Sequence, residues 1–160
     1  MQHALQARLE LNGFQQYEVS GYAKLNRECQ HNLNYWLFGD YIGIGAGAHG
    51  KLTVNQSIFR SARKKHPATY IANAGTNQAI AESKQIPGPE IAFEFLMNSL
   101  RLKQGFSLSA VEPRTGIKGS RIKKLLNKHI LSGLLVESGD NLRCTERGYL
   151  FLDNILVDLL

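Results

Sequence analysis

Residues 18–50 read EVSGYAKLNRECQHNLNYWLFGDYIGIGAGAHG. A His-Asn-x-x-Tyr-Trp box, His31 to Trp36, is followed within a few residues by an apolar run into spaced glycines. Tyr41–Ala46 is apolar at its non-glycine positions, the pattern of a strand covered on both faces. Gly43, Gly45 and Gly47 lack the Cβ that would keep another molecule off the backbone. Leu25–Asn34 is polar and reads as a long loop, so His31, Tyr35 and Trp36 are expected to hold an imidazole and two aromatic faces in one loop. Strand and loop together read as one wall of a cofactor site.

Working outward, the chain has 160 residues, the size of one domain or of two small ones sharing an interface. Hydrophobic residues make up 43%, enough for a packed core. No apolar run approaches the roughly 20 residues that cross a bilayer, so no transmembrane segment is expected, and no secretory pattern opens the chain. The expected location is therefore cytoplasmic. Two cysteines, Cys29 and Cys144, stand too far apart for a C-x-x-C knuckle and are too few for a disulfide framework. The net charge of +6 favours anionic partners such as nucleic acid, phosphate-bearing ligands or carboxylated macrocycles. It gathers at Arg60, Arg63, Lys64, Lys65 and His66, and again at Lys118, Arg121, Lys123, Lys124 and Lys128. The plain reading of each cluster is a solvated surface.

Met1, Leu5 and Leu9 predict a first helix stopped by Gly13, and Tyr17, Val19 and Tyr22 predict a strand over Phe14–Ala23. Ile58–Ala62 reads as a short strand, and Pro67 opens a helix that runs to Gly75. The polar stretch Thr76–Pro89, with Pro87, Gly88 and Pro89, marks a boundary between a segment 1–86 and a segment 87–160. Beyond it, Glu90–Leu102 is amphipathic, and Ser109 with Glu112 suggests a capping box for a short helix near Leu108–Val111. Ser120 is a candidate cap for a third helix with the stripe Ile122, Leu125, Leu126, His129 and Ile130, ended by Gly133. Gly139, Asp140 and Asn141 predict a hairpin, and Thr145 caps a closing helix to Leu160. That order, three helices, a hairpin and a helix, is the order of a winged-helix domain, with one basic cluster on its third helix. His129 and Cys144 read as packed interior residues.

The segments GFQQYEVSGYA, CQHNLNYW, GDYIGIGAGAHGK, EFLMNSLRL and LRCTERGYLFLDNIL, in this order, resemble the carboxy-terminal part of the oxygen-independent coproporphyrinogen III oxidase family of radical SAM proteins. The box His31-Asn32-x-x-Tyr35-Trp36 resembles its heme-chaperone branch, called HemW. The resemblance implies an α/β fold: the end portion of a partial TIM-like barrel over 1–86, then a small winged-helix-like α+β domain over 87–160. It implies heme bound by His31, Asn32, Tyr35 and Trp36, with His31 as an iron ligand and Cys29 as a weaker candidate. Gly45, Gly47, Ala48 and His49 are implied at the S-adenosylmethionine side, chiefly through backbone. The family's C-x-x-x-C-x-x-C loop, which holds a [4Fe-4S] cluster, has no counterpart here. The resemblance thus implies a carboxy-terminal piece without catalytic residues, inactive alone, that self-associates through a cut barrel edge. Its function is expected to be that of a heme chaperone handing heme to apo-hemoproteins or respiratory-chain components, dependent on SAM and the cluster at full length. The alternatives are a fragment of the oxidase of porphyrin biosynthesis, or a winged-helix nucleic-acid module.

Overall fold

The computed structural model describes residues 2–160. Helix α1 (Gln2–Leu11) ends where Gly13 turns the chain at φ 76°, a conformation that costs glycine little. Met1 of the expected stripe lies outside the described residues. Phe14–Ala23, expected as one strand, is instead a tiny antiparallel hairpin of β1 (Gln15–Gln16) and β2 (Tyr22–Ala23). It folds back at Gly21, where a Cβ would strike the side chains of Glu18 and Tyr17.

The expected loop around the box is a helix, α2 (Gln30–Trp36). The expected strand Tyr41–Ala46 does not form: Tyr41 makes a single bridge to Lys51, and Ile42 and Ile44 are 70% and 83% exposed. A strand apolar on both faces needs neighbours and cover. Here the segment pairs only at Tyr41, its isoleucines have no cover among the described residues, and Gly45 and Gly47 leave the β region at φ 111° and 72°. Regular pairing starts later. Strand β3 (His49–Val54) runs antiparallel to β4 (Ser57–Arg63), and after α3 (Pro67–Asn73) β5 (Ile80–Gln85) closes a sheet of order β3-β4-β5. The paired strands β3, β4 and β5 are thus an antiparallel meander, and the end portion of a partial TIM-like barrel expected over 1–86 is not apparent among the described residues. Strand β5 was hidden in the polar stretch because, at the sheet edge, nearly all its side chains face solvent.

The second half follows the expected order closely. Helix α4 (Gly88–Ser99) buries Ile91, Phe95 and Leu96. Strand β6 (Phe106–Ser107), α5 (Val111–Thr115) and α6 (Gly119–Leu131) lead to the hairpin β7 (Leu135–Ser138) and β8 (Asn141–Cys144), and these strands form a sheet of order β6-β8-β7. Helices α7 (Glu146–Leu150) and α8 (Leu152–Val157) close the chain, split at Phe151. Thr145 caps α7 as expected, its hydroxyl oxygen accepting from the Gly148 N–H at 3.0 Å. The capping box does not form: Asp140 takes both the Ser109 N–H and the Ser109 hydroxyl across the sheet. Ser120 lies inside α6, whose cap position is Lys118. His129 and Cys144 are buried, as expected.

One apolar cluster joins the halves, with Phe38, Ile58 and Ile86 packed among Phe95, Leu96, Leu100, Phe106, Leu126, Leu142 and Ile155. Beside it Lys51 is buried at 2% exposure, its ammonium donating to the Phe38 carbonyl at 3.1 Å and to Asp40 at 2.8 Å. Burial alone would raise the Asp40 carboxyl, but hydrogen bonds from Lys51 and from the Thr53 N–H and hydroxyl hold it below its ordinary value of 3.8. Among the described residues no helix is long and apolar enough to cross a membrane.

Two substitutions test this packing. In a helix, Gly→Ala ordinarily gains about 1 kcal/mol, yet a Cβ on Gly148 would lie 1.9 Å from the Leu134 carbonyl oxygen. Gly148→Ala should therefore cost about 1–3 kcal/mol in urea unfolding, and an unchanged or higher midpoint would contradict the packing. Because the folded carboxyl of Asp40 sits below its unfolded value, its stabilisation is present above that unfolded value and fades as pH falls through the folded one. Asp40→Asn should flatten the stability profile below about pH 4. Near neutrality it should cost about 2 kcal/mol, less than a fully buried pair because Asp40 is 39% exposed.

Candidate functional site

Each residue of an α-helix turns by about 100°, so residues four apart share a face. The box therefore has two stripes, His31 with Tyr35 and Asn32 with Trp36. Its first stripe looks outward. His31 is exposed, and its ring meets the Tyr35 ring edge-on at 4.7 Å between centroids. The Tyr35 ring lies 4.2 Å from that of Tyr41, whose hydroxyl accepts from Arg60 at 2.6 Å. Burial is the main reason the Tyr41 phenol is pushed up. Arg60 in turn bonds Glu94 through Nε and Nη2 at 3.0 and 2.6 Å, which outweighs burial and raises its own pKa.

The second stripe looks inward. Asn32 Nδ2 donates to the Tyr17 hydroxyl at 3.4 Å, and the Arg101 guanidinium carbon lies 4.3 Å from the Trp36 ring centre. The two aromatic faces expected in one loop thus lie on different sides of one helix, and one face of Trp36 is already covered. Cys29 is exposed immediately before α2, with the polypeptide continuing directly into the turn that carries His31.

The glycine segment reaches the box through Tyr41. Three of its N–H groups are used within the chain: Gly45 donates to the Tyr70 hydroxyl, Gly47 to the Lys64 carbonyl, and Ala48 to the Gly45 carbonyl. At Gly43 a Cβ would lie 2.3 Å from the His49 carbonyl, so the close approach that glycine permits here is one with the chain's own backbone. His49 opens β3 opposite Ala62 and is exposed.

Heme suits the outward stripe, which offers an accessible imidazole beside an aromatic edge on a chain of positive charge. A [4Fe-4S] cluster does not suit these residues, since Cys144 is buried with its thiol pushed up by burial to about 12. Among the described residues no group of three or more His, Cys, Asp or Glu could hold a metal ion. The basic cluster on α6 is partly neutralised, with Lys123 paired to Glu137 and Lys128 to Asp158, both at 2.8 Å.

Sequence reading missed Arg101, Glu18 and Lys51. The signal for Arg101 was present, a lone cation between Leu100 and Leu102. The other two are buried charges whose partners are distant in sequence.

Residues 86–151 match the family of the HemN C-terminal domain. The chain is 42% identical over 149 residues to a protein named heme chaperone HemW from Haemophilus influenzae, covering 92% of this chain and 38% of that protein. It is 40% identical to one of the same name from Escherichia coli, covering 90% and 37%. A third, from Mycobacterium tuberculosis, is 34% identical, covering 96% and 37%. The chain thus spans under two fifths of the length of these relatives. In fold it is similar to the radical SAM enzyme coproporphyrinogen III oxidase (HemN) from Escherichia coli, with a TM-score of 0.65 at 15% identity, covering 99% of this chain and 39% of that one. With a HemN C-terminal domain match over residues 86–151 and relatives named heme chaperone HemW along most of its length, the chain is similar in sequence to part of the HemW proteins.

Proposed function

We propose that this chain carries the heme-binding part of a heme chaperone, and that His31 is the residue that meets the iron. The observation that carries this reading is the exposed His31 imidazole, set edge-on to Tyr35 on the outward stripe of α2. Neutral imidazole is a common axial ligand, and an adjoining aromatic edge gives a planar macrocycle apolar surface to lie against. Asn32 and Trp36 serve the site from the inward stripe by holding the helix. Cys29 is the weaker candidate ligand. Heme, when bound, would be cargo delivered to apo-hemoproteins or respiratory-chain components, with S-adenosylmethionine and a [4Fe-4S] cluster belonging to the full-length protein.

In this reading Gly45, Gly47, Ala48 and His49 face the S-adenosylmethionine side of a larger assembly. Because the Gly45, Gly47 and Ala48 N–H groups are already bonded, as are the Gly45 and Ala48 carbonyls, their contribution is close backbone approach. The exposed Ile42 and Ile44 beside them support self-association when the chain stands alone. The order from α4 through the β7–β8 hairpin supports a winged-helix description of 87–160. Its use as a docking platform is favoured over nucleic-acid binding, since Lys123 and Lys128 are spent on Glu137 and Asp158.

Titration of the chain with hemin should give a saturable, red-shifted Soret band that His31→Ala abolishes, with Cys29→Ala having a smaller effect. Weak, non-saturating binding that is the same in wild type and His31→Ala would end the heme reading. On size exclusion the chain should elute above its monomer mass, and the pair Ile42→Asp with Ile44→Asp should return it to monomer. A monomeric wild type would contradict the apolar contact.

A further inference from the structure

We propose that Arg101 and Arg114, both in the HemN C-terminal domain, are positioning residues that dock the box helix and so set the direction of His31. The proposal rests on the heme reading and extends it. Helix α2 is too weak to account for itself. It spans Gln30–Trp36, with no side-chain cap and no fully buried residue. Isolated helices shorter than about 12–15 residues are marginal in water, so the contacts that hold α2 come from elsewhere.

Two of them are cations at its carboxy-terminal end, where a helix carries partial negative charge. Arg114 Nη1 donates to the Leu37 carbonyl, the residue that caps α2. Arg101 lays its guanidinium on Trp36 and bonds the Glu18 carboxylate through Nη2 at 2.9 Å. Glu18 is itself only 2% exposed and also accepts from the Ser20 N–H and hydroxyl, each at 3.0 Å. The backbone of Arg101 is fixed in turn, its carbonyl accepting from the Tyr149 hydroxyl at 2.8 Å. Among the described residues the Trp36 Nε1 and Arg101 Nε atoms are buried without a hydrogen-bond partner. Polar atoms are tolerated in that state when the stack and the ion pair around them compensate.

The arrangement is directional. A planar guanidinium can stack on a ring and fork to a carboxylate at once, which an ammonium cannot. Trp36 is the last residue of α2, so holding its ring at Arg101 restrains the carboxy-terminal end of the helix that carries His31 and Tyr35.

Trp36 is the sole tryptophan, so its fluorescence reports on the clamp without heme. Arg101→Ala should shift Trp36 emission to the red, at least double its acrylamide quenching, and weaken hemin binding about tenfold, equivalent to roughly 1.4 kcal/mol. Arg101→Lys should restore less than half of either effect. Glu18→Gln, a milder change, covers the case in which Arg101→Ala fails to fold, and should move both readouts in the same direction. Arg114→Ala should weaken hemin binding with little change in Trp36 quenching. His31→Ala should remove the Soret band with Trp36 quenching intact. The clamp is overturned if Arg101→Ala and Glu18→Gln leave quenching and hemin affinity within twofold of wild type, or if Arg101→Lys behaves as wild type. Should wild type show no saturable Soret band, the heme reading falls, and the quenching series alone then decides whether Arg101 holds Trp36.

Discussion

Everything around the box depends on Phe38 being held in a backbone conformation that it does not favour. Its φ of 58° lies in the left-handed region, where a bulky side chain costs of order 1–3 kcal/mol unless its surroundings impose the geometry. Three contacts impose it. The ring is buried edge-on against Phe95 at 5.8 Å, and Phe95 against Phe106 at 5.0 Å. The Phe38 carbonyl accepts from Lys51, whose ammonium also lies 4.3 Å from the ring centre. Burial of such a ring contributes about 1.5–3 kcal/mol, comparable with the strain, so Lys51 and the aromatic ladder tip the balance. The reversal at Phe38 lets α2 lie on the HemN C-terminal domain while the chain doubles back to place Tyr41 on Tyr35.

The charges that matter structurally are those tying distant segments together. Glu18 reaches Arg101, Glu94 reaches Arg60, and Asp40 reaches Lys51, each pair joining parts of the chain that are far apart in sequence or separated by a turn. Exposed pairs such as Lys84 with Glu82 contribute little. Glu18 and Lys51 differ, because removing either partner strands a desolvated charge. Of the acids only Glu18 is buried, and the positive excess gathers at the surface around Lys64, Lys65, His66, Lys118, Arg121 and Lys124. That excess suits anionic ligands in general and selects none.

The second half was legible because its signals are local. The Ile122–Leu126–His129 stripe, the Gly139–Asp140 turn and the Thr145 cap each specify their element within a few residues, and they appear where expected. Ser109 was misread because Asp140, thirty-one positions on, competes for the same donors. In the first half the decisive partners are non-local. Tyr41–Ala46 has strand chemistry but pairs with β3 only at Tyr41, and Gly45 and Gly47 turn the chain away. The box looked like a loop because its polar composition masks the four-residue spacing of His31 with Tyr35 and Asn32 with Trp36, which was readable and is the geometry that matters. Edge strand β5 shows the opposite failure, a real strand too polar to announce itself.

The fold likeness at 15% identity carries the architecture and nothing of the chemistry, so the functional reading turns on how far the site is already built. The glycine segment answers part of this. Its exposed isoleucines are the kind of surface that is ordinarily covered, and the N–H groups of Gly45, Gly47 and Ala48 are satisfied by Tyr70, Lys64 and Gly45. Those three bonds fix the turn that follows the isoleucines, so less ordering free energy is spent when that apolar surface is covered. At α2 the inward stripe is engaged, and of the outward stripe Tyr35 packs on Tyr41 while His31 is exposed. The two surfaces, joined by the Tyr35–Tyr41 contact, are therefore preorganised by the chain's own interactions, and an approaching macrocycle or protein element has only to desolvate them.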